Sequence, residues 1–302
     1  MRPILHDPAL EEELLETGYV KVPFLDADEL ATTTAELDRL RPDDGFEPDG
    51  TGLNRSTYHC TFLDTNHEYK QQAQELITRV FQPKIDEVVV DYRILTGNFY
   101  VKMPGKGRFQ IHQNWPTTQD LSITTLTVWC PFHDTDEANG TLRIVPGSHK
   151  IVPDVSTPQR PPFFAGFEDE LIDHHLVPMC LRGGEALIFD DSLVHWSSEN
   201  VSDAPRRAVQ IETVPAEVPA VLYHLDDYGP EPQWELYEVD DRFFIDHSID
   251  QVIGRPNDLH RIALADYVNR DLTEAEFTDL LRRGPEIRRR VYAGEGWPEP
   301  AN

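Results

Sequence analysis

From Glu87 onward the chain is cut into short β-rich runs, at 88–90, 94–101, 109–112, 123–132, 141–145, 185–190 and 207–214, separated by Gly, Pro, Asn and Asp. Branched and aromatic residues suit a pleated, half-buried surface, and the turn residues stop each run after a few positions. Many short strands punctuated in this way predict a sandwich or jelly roll. Helices are expected ahead of them. One spans 9–17 and stops at Gly18, one spans 31–40 behind a capping box of Asp26 with Glu29, and one spans 67–81 with Ala73, Leu76, Ile77 and Val80 on one face. Between these helices, 19–23 alternates like a strand and 41–57 reads as a loop. The expected fold is mainly β with flanking helices around a double-stranded β-helix (jelly-roll, cupin-like) core. One domain covers 1–302: a helical and strand part at 1–86, the core at 87–226 and a C-terminal extension at 227–302. Residues 156–175, with Pro158, Pro161 and Pro162, read as an inserted loop, either an active-site cover or surface decoration. Further on, 221–225 reads as a strand, 257–268 and 273–283 as helices, and 295–302 as a frayed tail. The second of those helices has a capping box of Thr273 with Glu276 and stops at Gly284.

The 302 residues include 27 Lys and Arg against 54 Asp and Glu, a formal net charge of −27. So acidic a surface repels nucleic acid and anionic membranes, which leaves a small molecule as the expected partner. The charge itself reads as a solubility property and names no substrate. Cys60, Cys130 and Cys180 form no CxxC pair, and the acidic start has no basic-then-apolar signal, so a reducing cytoplasm is the expected compartment. Nothing in the pattern specifies an oligomeric state.

The candidate chemistry lies in Ile111-His112-Gln113-Asn114-Trp115 and Leu193-Val194-His195-Trp196-Ser197, with Arg206 beyond them. Two imidazoles and a carboxylate on one face hold ferrous iron while leaving three positions open for a co-substrate and oxygen. On a strand, a histidine and a residue two positions later point to the same side. His112 has that relation to residue 114, which is an asparagine.

The surrounding blocks carry a family resemblance. Tyr19–Leu25, His112-Gln113-Asn114, Trp129, Asn139-Gly140-Thr141-Leu142, Val145-Pro146-Gly147-Ser148-His149-Lys150, Gly184–Phe189 and Pro205-Arg206-Arg207-Ala208 follow one another in order. The chain resembles the phytanoyl-CoA dioxygenase family of iron(II)- and 2-oxoglutarate-dependent oxygenases over about 18–215. The resemblance implies a jelly-roll core, with Fe(II) as the metal, 2-oxoglutarate as co-substrate and O2 as oxidant. It implies His112 and His195 as metal ligands, with Asn114 at the position where the family has aspartate. It places Arg206 on the distal carboxylate of 2-oxoglutarate, Ser197 and Trp129 beside that co-substrate, and Gln113 on the cavity wall. Trp115 and Trp196, flanking the ligand positions, either line the substrate cavity or simply pack. His149 reads as structural. The implied reaction is hydroxylation of an unactivated carbon of a small-molecule or natural-product substrate, giving succinate and CO2. Desaturation, cyclisation and halogenation are outcomes of the wider superfamily.

Asn114 leaves three readings open. Its carbonyl oxygen or a water occupies the third position and the enzyme works. The position is open to a halide, as in halogenases, which have the smaller Gly or Ala there. Or the metal site is degenerate and the protein is a non-catalytic, ligand-binding jelly roll. Asp120, Asp134, Asp136, Asp190 and Asp191 are the nearby carboxylates, and none has the two-residue relation to His112.

Overall fold

A computed structural model describes residues 3–43, 45–47, 57–151, 155–267 and 269–284. The expected tail at 295–302, Val268 and most of the second half of the 41–57 loop lie outside these residues.

In chain order the elements are α1 (Pro8–Thr17), β1 (Tyr19–Pro23), α2 (Ala27–Arg39), β2 (His59–Cys60), α3 (His67–Val88), β3 (Tyr92–Lys102), β4 (Leu126–Pro131), β5 (Leu142–Ile144), α4 (Glu168–His174), β6 (Val177–Pro178), β7 (Glu185–Asp190), β8 (His195–Ser197) and β9 (Arg206–Pro215). There follow β10 (Ala220–Asp226), β11 (Gln233–Val239), α5 (Phe243–Asp246), α6 (Ile249–Ile253), β12 (Arg261–Asp266) and α7 (Glu274–Arg283). No helix among the described residues is long and apolar enough to cross a membrane.

The major sheet has the order β1-β7-β4-β9-β3-β2, and its pairings are antiparallel. A minor sheet, β6-β5-β8, belongs to the same jelly roll, and β10-β11-β12 forms a third sheet in the C-terminal part. Alternation sorts the major sheet into two faces. Val128, Ile188, Val209 and Ile211 join one core with Leu76, Ile77, Phe81 and Ile85 of α3. Their neighbours Trp129, Leu187, Phe189 and Ala208 join another with Leu142 and Ile144 of the minor sheet. Because β4 is buried along its whole length, it reads as a continuous apolar run rather than an alternating one.

Residues 16–18 tie both sheets together. Gly18 caps α1 at φ 90°, and a Cβ there would lie 2.5 Å from His149 Nδ1 and 2.6 Å from Leu193 Cδ1. Thr17 O accepts from Gly147 N–H at 2.8 Å and Gly18 O from Asp190 N–H at 2.9 Å. Lys150 reaches Glu16 at 2.9 Å.

Three expectations change. The helix expected at 257–268 is largely strand β12, paired to β11, because the alternation of Ala263 and Ala265 inward with Ile262 and Leu264 outward outweighs the local helix preference of Leu and Ala. The strand expected at 88–90 is instead the end of α3, which continues through Pro83, with Val89 bridged singly to Leu5. The insertion at 156–175 contains α4. The capping boxes of α2 and α7 are present as expected.

His59 gives the fold a pH dependence. It is buried, its Nε2 lies 2.9 Å from Tyr69 Oη, and burial pushes its pKa down to about 4. The unfolded chain protonates it near the ordinary value of about 6.5. Between those values the unfolded state holds more protons, so this stability is complete at neutral pH and is lost as pH falls from about 6.5 toward 4. The slope approaches about 1.4 kcal/mol per pH unit. Urea midpoints of wild type and His59→Leu between pH 7 and 5 check this. The wild type should lose more stability than the variant over that range, and parallel pH profiles would refute it.

Candidate metal and co-substrate site

The segment around Lys106–Asn114 runs antiparallel to the strand containing β8. His112 and His195 exchange both backbone hydrogen bonds, at 3.0 and 2.9 Å, and Asn114 N–H donates to Asp191 O at 2.9 Å. The segment expected as a strand at 109–112 is therefore an isolated bridge at His112. Cross-strand partners present their side chains on the same face. The two imidazoles lie with centroids 4.1 Å apart. Phe109 stacks on His112 at 4.6 Å, and Phe189 packs edge-on against His195 at 5.1 Å.

Each Nδ1 lies 2.8 Å from the carbonyl two residues before it, of Gln110 and Leu193 respectively. A carbonyl only accepts, so Nδ1 carries the proton and each Nε2 keeps its lone pair. Neither Nε2 has a hydrogen-bond partner among the described residues. Burial pushes His195 down to about 4. For His112, burial and then the neighbouring His195 outweigh the Gln110 bond and hold it well below the usual range. Two neutral rings of fixed tautomer are what a divalent ion requires.

Asn114 is buried, and its side chain is fully tied at one end. Nδ2 donates to Thr127 Oγ1 at 2.7 Å and to Asp191 Oδ1 at 3.3 Å, and the Thr127 hydroxyl donates to Asp191 Oδ1 at 2.6 Å. Burial raises Asp191, while the Thr125, Thr127 and Asn114 donors pull it back. Glu212, opposite Thr127 in the sheet, is pushed up to about 8 by burial and then by Asp191. Asp120, Asp134, Asp136 and Asp190 accept from backbone N–H groups of Ser122, Gly183, Asn139 and Ser192. Among the described residues no cluster of three His, Cys, Asp or Glu is placed to hold a metal.

A second group of side chains sits on the same inner face. Arg206 and Lys102 are directly opposed across β9 and β3, and both are buried. Lys102 Nζ donates to Ser197 Oγ at 2.6 Å and Ser198 O at 2.7 Å. The Arg206 guanidinium lies 5.5 Å from the Trp129 ring centre, and its buried Nε has no partner. Neither cation pairs with a carboxylate among the described residues. Burial brings Arg206 down to about 10, and burial followed by Arg206 itself pushes Lys102 well below its ordinary range. The pair lacks an anion, and a carboxylate of a small diacid fits it. The residues therefore suit a metal held by two imidazoles beside an anionic chelator, with a neutral amide at the third protein position.

A sequence profile of the phytanoyl-CoA dioxygenase (PhyH) family matches residues 14–208. The chain belongs to the phytanoyl-CoA dioxygenase family. It is 26% identical over 161 residues to the phytanoyl-CoA dioxygenase domain-containing protein 1 homolog of Dictyostelium discoideum, covering 49% of this chain and 57% of that one. It is 27% identical over 239 residues to dioxygenase cdmA of Talaromyces verruculosus, covering 70% and 74%. Matches to dioxygenase trt7 of Aspergillus terreus and to the Danio rerio domain-containing protein 1 cover 41% and 51% of those chains, so the chain spans about half the length of several relatives. Among solved structures, the non-haem α-ketoglutarate-dependent carbocyclase SnoK from nogalamycin biosynthesis superposes with a TM-score of 0.54 at 21% identity, covering 71% of this chain and 86% of SnoK. That likeness establishes the shared fold.

Within this phytanoyl-CoA dioxygenase-family chain, His112 lies against His195, Asn114 follows two residues on, Arg206 stands over Trp129, and Ser197 is bonded to the Lys102 that faces Arg206. One residue is placed otherwise, and the two tryptophans follow the packing alternative. Gln113 alternates away from the imidazoles, donating from Nε2 to Ser192 O at 2.5 Å, and so is no wall of the metal site. Trp196 alternates away from His195 into a cluster with Val194 and Phe164, flanked by Arg108 and Arg143. Trp115 packs edge-on against Phe62 in the core beside Phe244. Both tryptophans pack. His149 Nε2 lies 3.3 Å from Leu15 O under Gly18, in keeping with a structural role. Lys102, Thr127 and the Asp191 contact were missed. Register pairs Lys102 with Arg206, and register is not written in either segment alone.

Proposed function

We propose that this protein is an iron(II)- and 2-oxoglutarate-dependent oxygenase that hydroxylates an unactivated carbon of a small organic substrate. The observation that carries the reading is the juxtaposition of two neutral imidazoles, each with a free Nε2, and two buried cations without an acid. His112 and His195 hold the metal, with the Asn114 carbonyl beside them. Arg206, with its guanidinium over the Trp129 ring, would hold the distal carboxylate of 2-oxoglutarate together with Lys102 and Ser197. When bound, iron and 2-oxoglutarate supply with O2 the oxidising power to break a C–H bond, leaving succinate and CO2. The protein excludes water around the pair and fixes its orientation. Because Asn114 fills its position, the halide-accepting reading is the weakest. SnoK, a carbocyclase, shares the fold, so an outcome such as cyclisation remains within this proposal.

A second reading, a ligand-binding relative without turnover, draws on the neutral third position and the lack of a three-ligand cluster among the described residues. Anaerobic addition of Fe(II) and 2-oxoglutarate separates the two. The oxygenase gives a weak visible charge-transfer band and, on admitting oxygen, releases succinate. If 2-oxoglutarate stabilises the protein equally with and without metal, and neither band nor succinate appears, the non-catalytic reading stands instead.

A further inference from the structure

We propose that Asp191 is a positioning residue that, through Thr127, turns the Asn114 amide so that its oxygen faces the metal position, and carries one hydrogen bond behind it the negative charge that a ligand carboxylate would bring. The inference rests on the metal-binding reading above.

The orientation follows from counting protons. A threonine hydroxyl has one to give. At Thr127 it goes to Asp191 Oδ1 over 2.6 Å, so the lone pair left on Thr127 Oγ1 accepts from Asn114 over 2.7 Å. Asp191 Oδ1 also accepts from Asn114, at 3.3 Å. Both neighbours of that end of the amide are acceptors, so the end must be NH2. A flip would set Asn114 Oδ1 against a carboxylate with no proton between them. Oδ1 is therefore the opposite end, and it has no hydrogen-bond partner among the described residues. Asn114 lies two residues from His112, and the Thr127 it contacts is paired across the sheet with Phe189, whose ring packs against His195.

The frame is rigid. Thr127 lies fully buried in the middle of the major sheet, between β7 and β9. The Asn114 backbone N–H also donates to Asp191 O. An amide whose N–H bonds to a carboxylate has a more electron-rich oxygen, which makes it a better ligand than a free asparagine. This accounts for how a family site keeps its two histidines and anion cradle with Asn at position 114.

The arrangement makes a charge swap decisive. Asn114→Asp alone sets two buried carboxylates against each other and removes the NH2 donor. Asn114→Asp with Asp191→Asn restores one amide, one carboxylate and the hydrogen bond, with the roles reversed. The measurement is Co(II) titration of the full chain with saturating 2-oxoglutarate, followed by the visible bands of the bound ion. Thermal unfolding without metal reports the fold of each variant.

Asp191→Asn should weaken Co(II) binding by roughly 10–100-fold. Asn114→Asp should bind no better than wild type. The swapped double variant should recover to within about threefold of wild type or exceed it, a rescue that loss of packing does not produce. Thr127→Val, nearly isosteric, tests the same contact if Asp191→Asn does not fold, and it should also weaken binding. The proposal is overturned if folded Asp191→Asn or Thr127→Val binds within about twofold of wild type, or if the folded double variant stays as weak as Asp191→Asn. Failure of the wild type to bind any Co(II) instead removes the metal-site reading and this proposal with it.

Discussion

Arg206→Leu should weaken 2-oxoglutarate binding by roughly 30-fold or more while leaving the ligand-free protein as stable as before. The guanidinium is buried beside Lys102 with its Nε unpartnered, so without an anion the two like charges oppose each other in a dry setting. Replacing one with a leucine removes that repulsion, at the cost of the stacking on Trp129. Unfolding free energy without ligand should stay within about 1 kcal/mol of wild type or rise. Removing one partner of a buried, charge-assisted pair costs about 2–5 kcal/mol of binding, or roughly 30-fold to several thousandfold in affinity for 2-oxoglutarate. Isothermal titration and thermal shift with 2-oxoglutarate measure both effects. A variant that still binds 2-oxoglutarate within a few fold of wild type would place the co-substrate elsewhere.

Phe189→Ala carries the largest expected loss of stability. Phe189 is buried near the end of β7, facing inward, in the core between the two sheets. Its pairing with Tyr19 on one side and Thr127 on the other leaves the backbone no freedom to close a void. Truncating a buried phenylalanine to alanine costs about 3–5 kcal/mol. The ring also supports the imidazole of His195 edge-on, so metal affinity should fall along with the urea midpoint. His195→Leu should lose the metal without so large a loss of stability. Equal urea midpoints for wild type and Phe189→Ala would contradict the packing described for this core.

What could be read from the chain was what is local. Short β-rich runs ended by turn residues identify the strands around 94–101, 185–190 and 207–214, and capping boxes identify the starts of α2 and α7. The motif residues His112, His195 and Arg206 were legible because each sits in a recognisable block. What could not be read depends on pairing. Lys102 looks like the end of an ordinary strand until β3 lies against β9 and sets it opposite Arg206. Asp191 was one carboxylate among several until the 106–114 segment crossed beside it. Gln113 was misplaced for the same reason. Adjacency in sequence suggests closeness to the metal, whereas alternation turns every second side chain to the other face. The strand at 261–266 was read as helix because its residues favour helix when considered alone and only the edge of β11 decides otherwise.

The three residues that close α1 fasten more than a helix end. Through Thr17, Gly18 and Glu16 the chain stitches the outer edge of the major sheet to the turn that leads out of the minor one. The two halves of the sandwich cannot spread at that edge unless this seam opens first. The start of the chain thereby sets how far apart the walls bearing Arg206 and His195 can drift. Recombinant versions that trim α1, or crowd it with a bulky fusion, would loosen the site from a distance while leaving every residue that lines it unchanged.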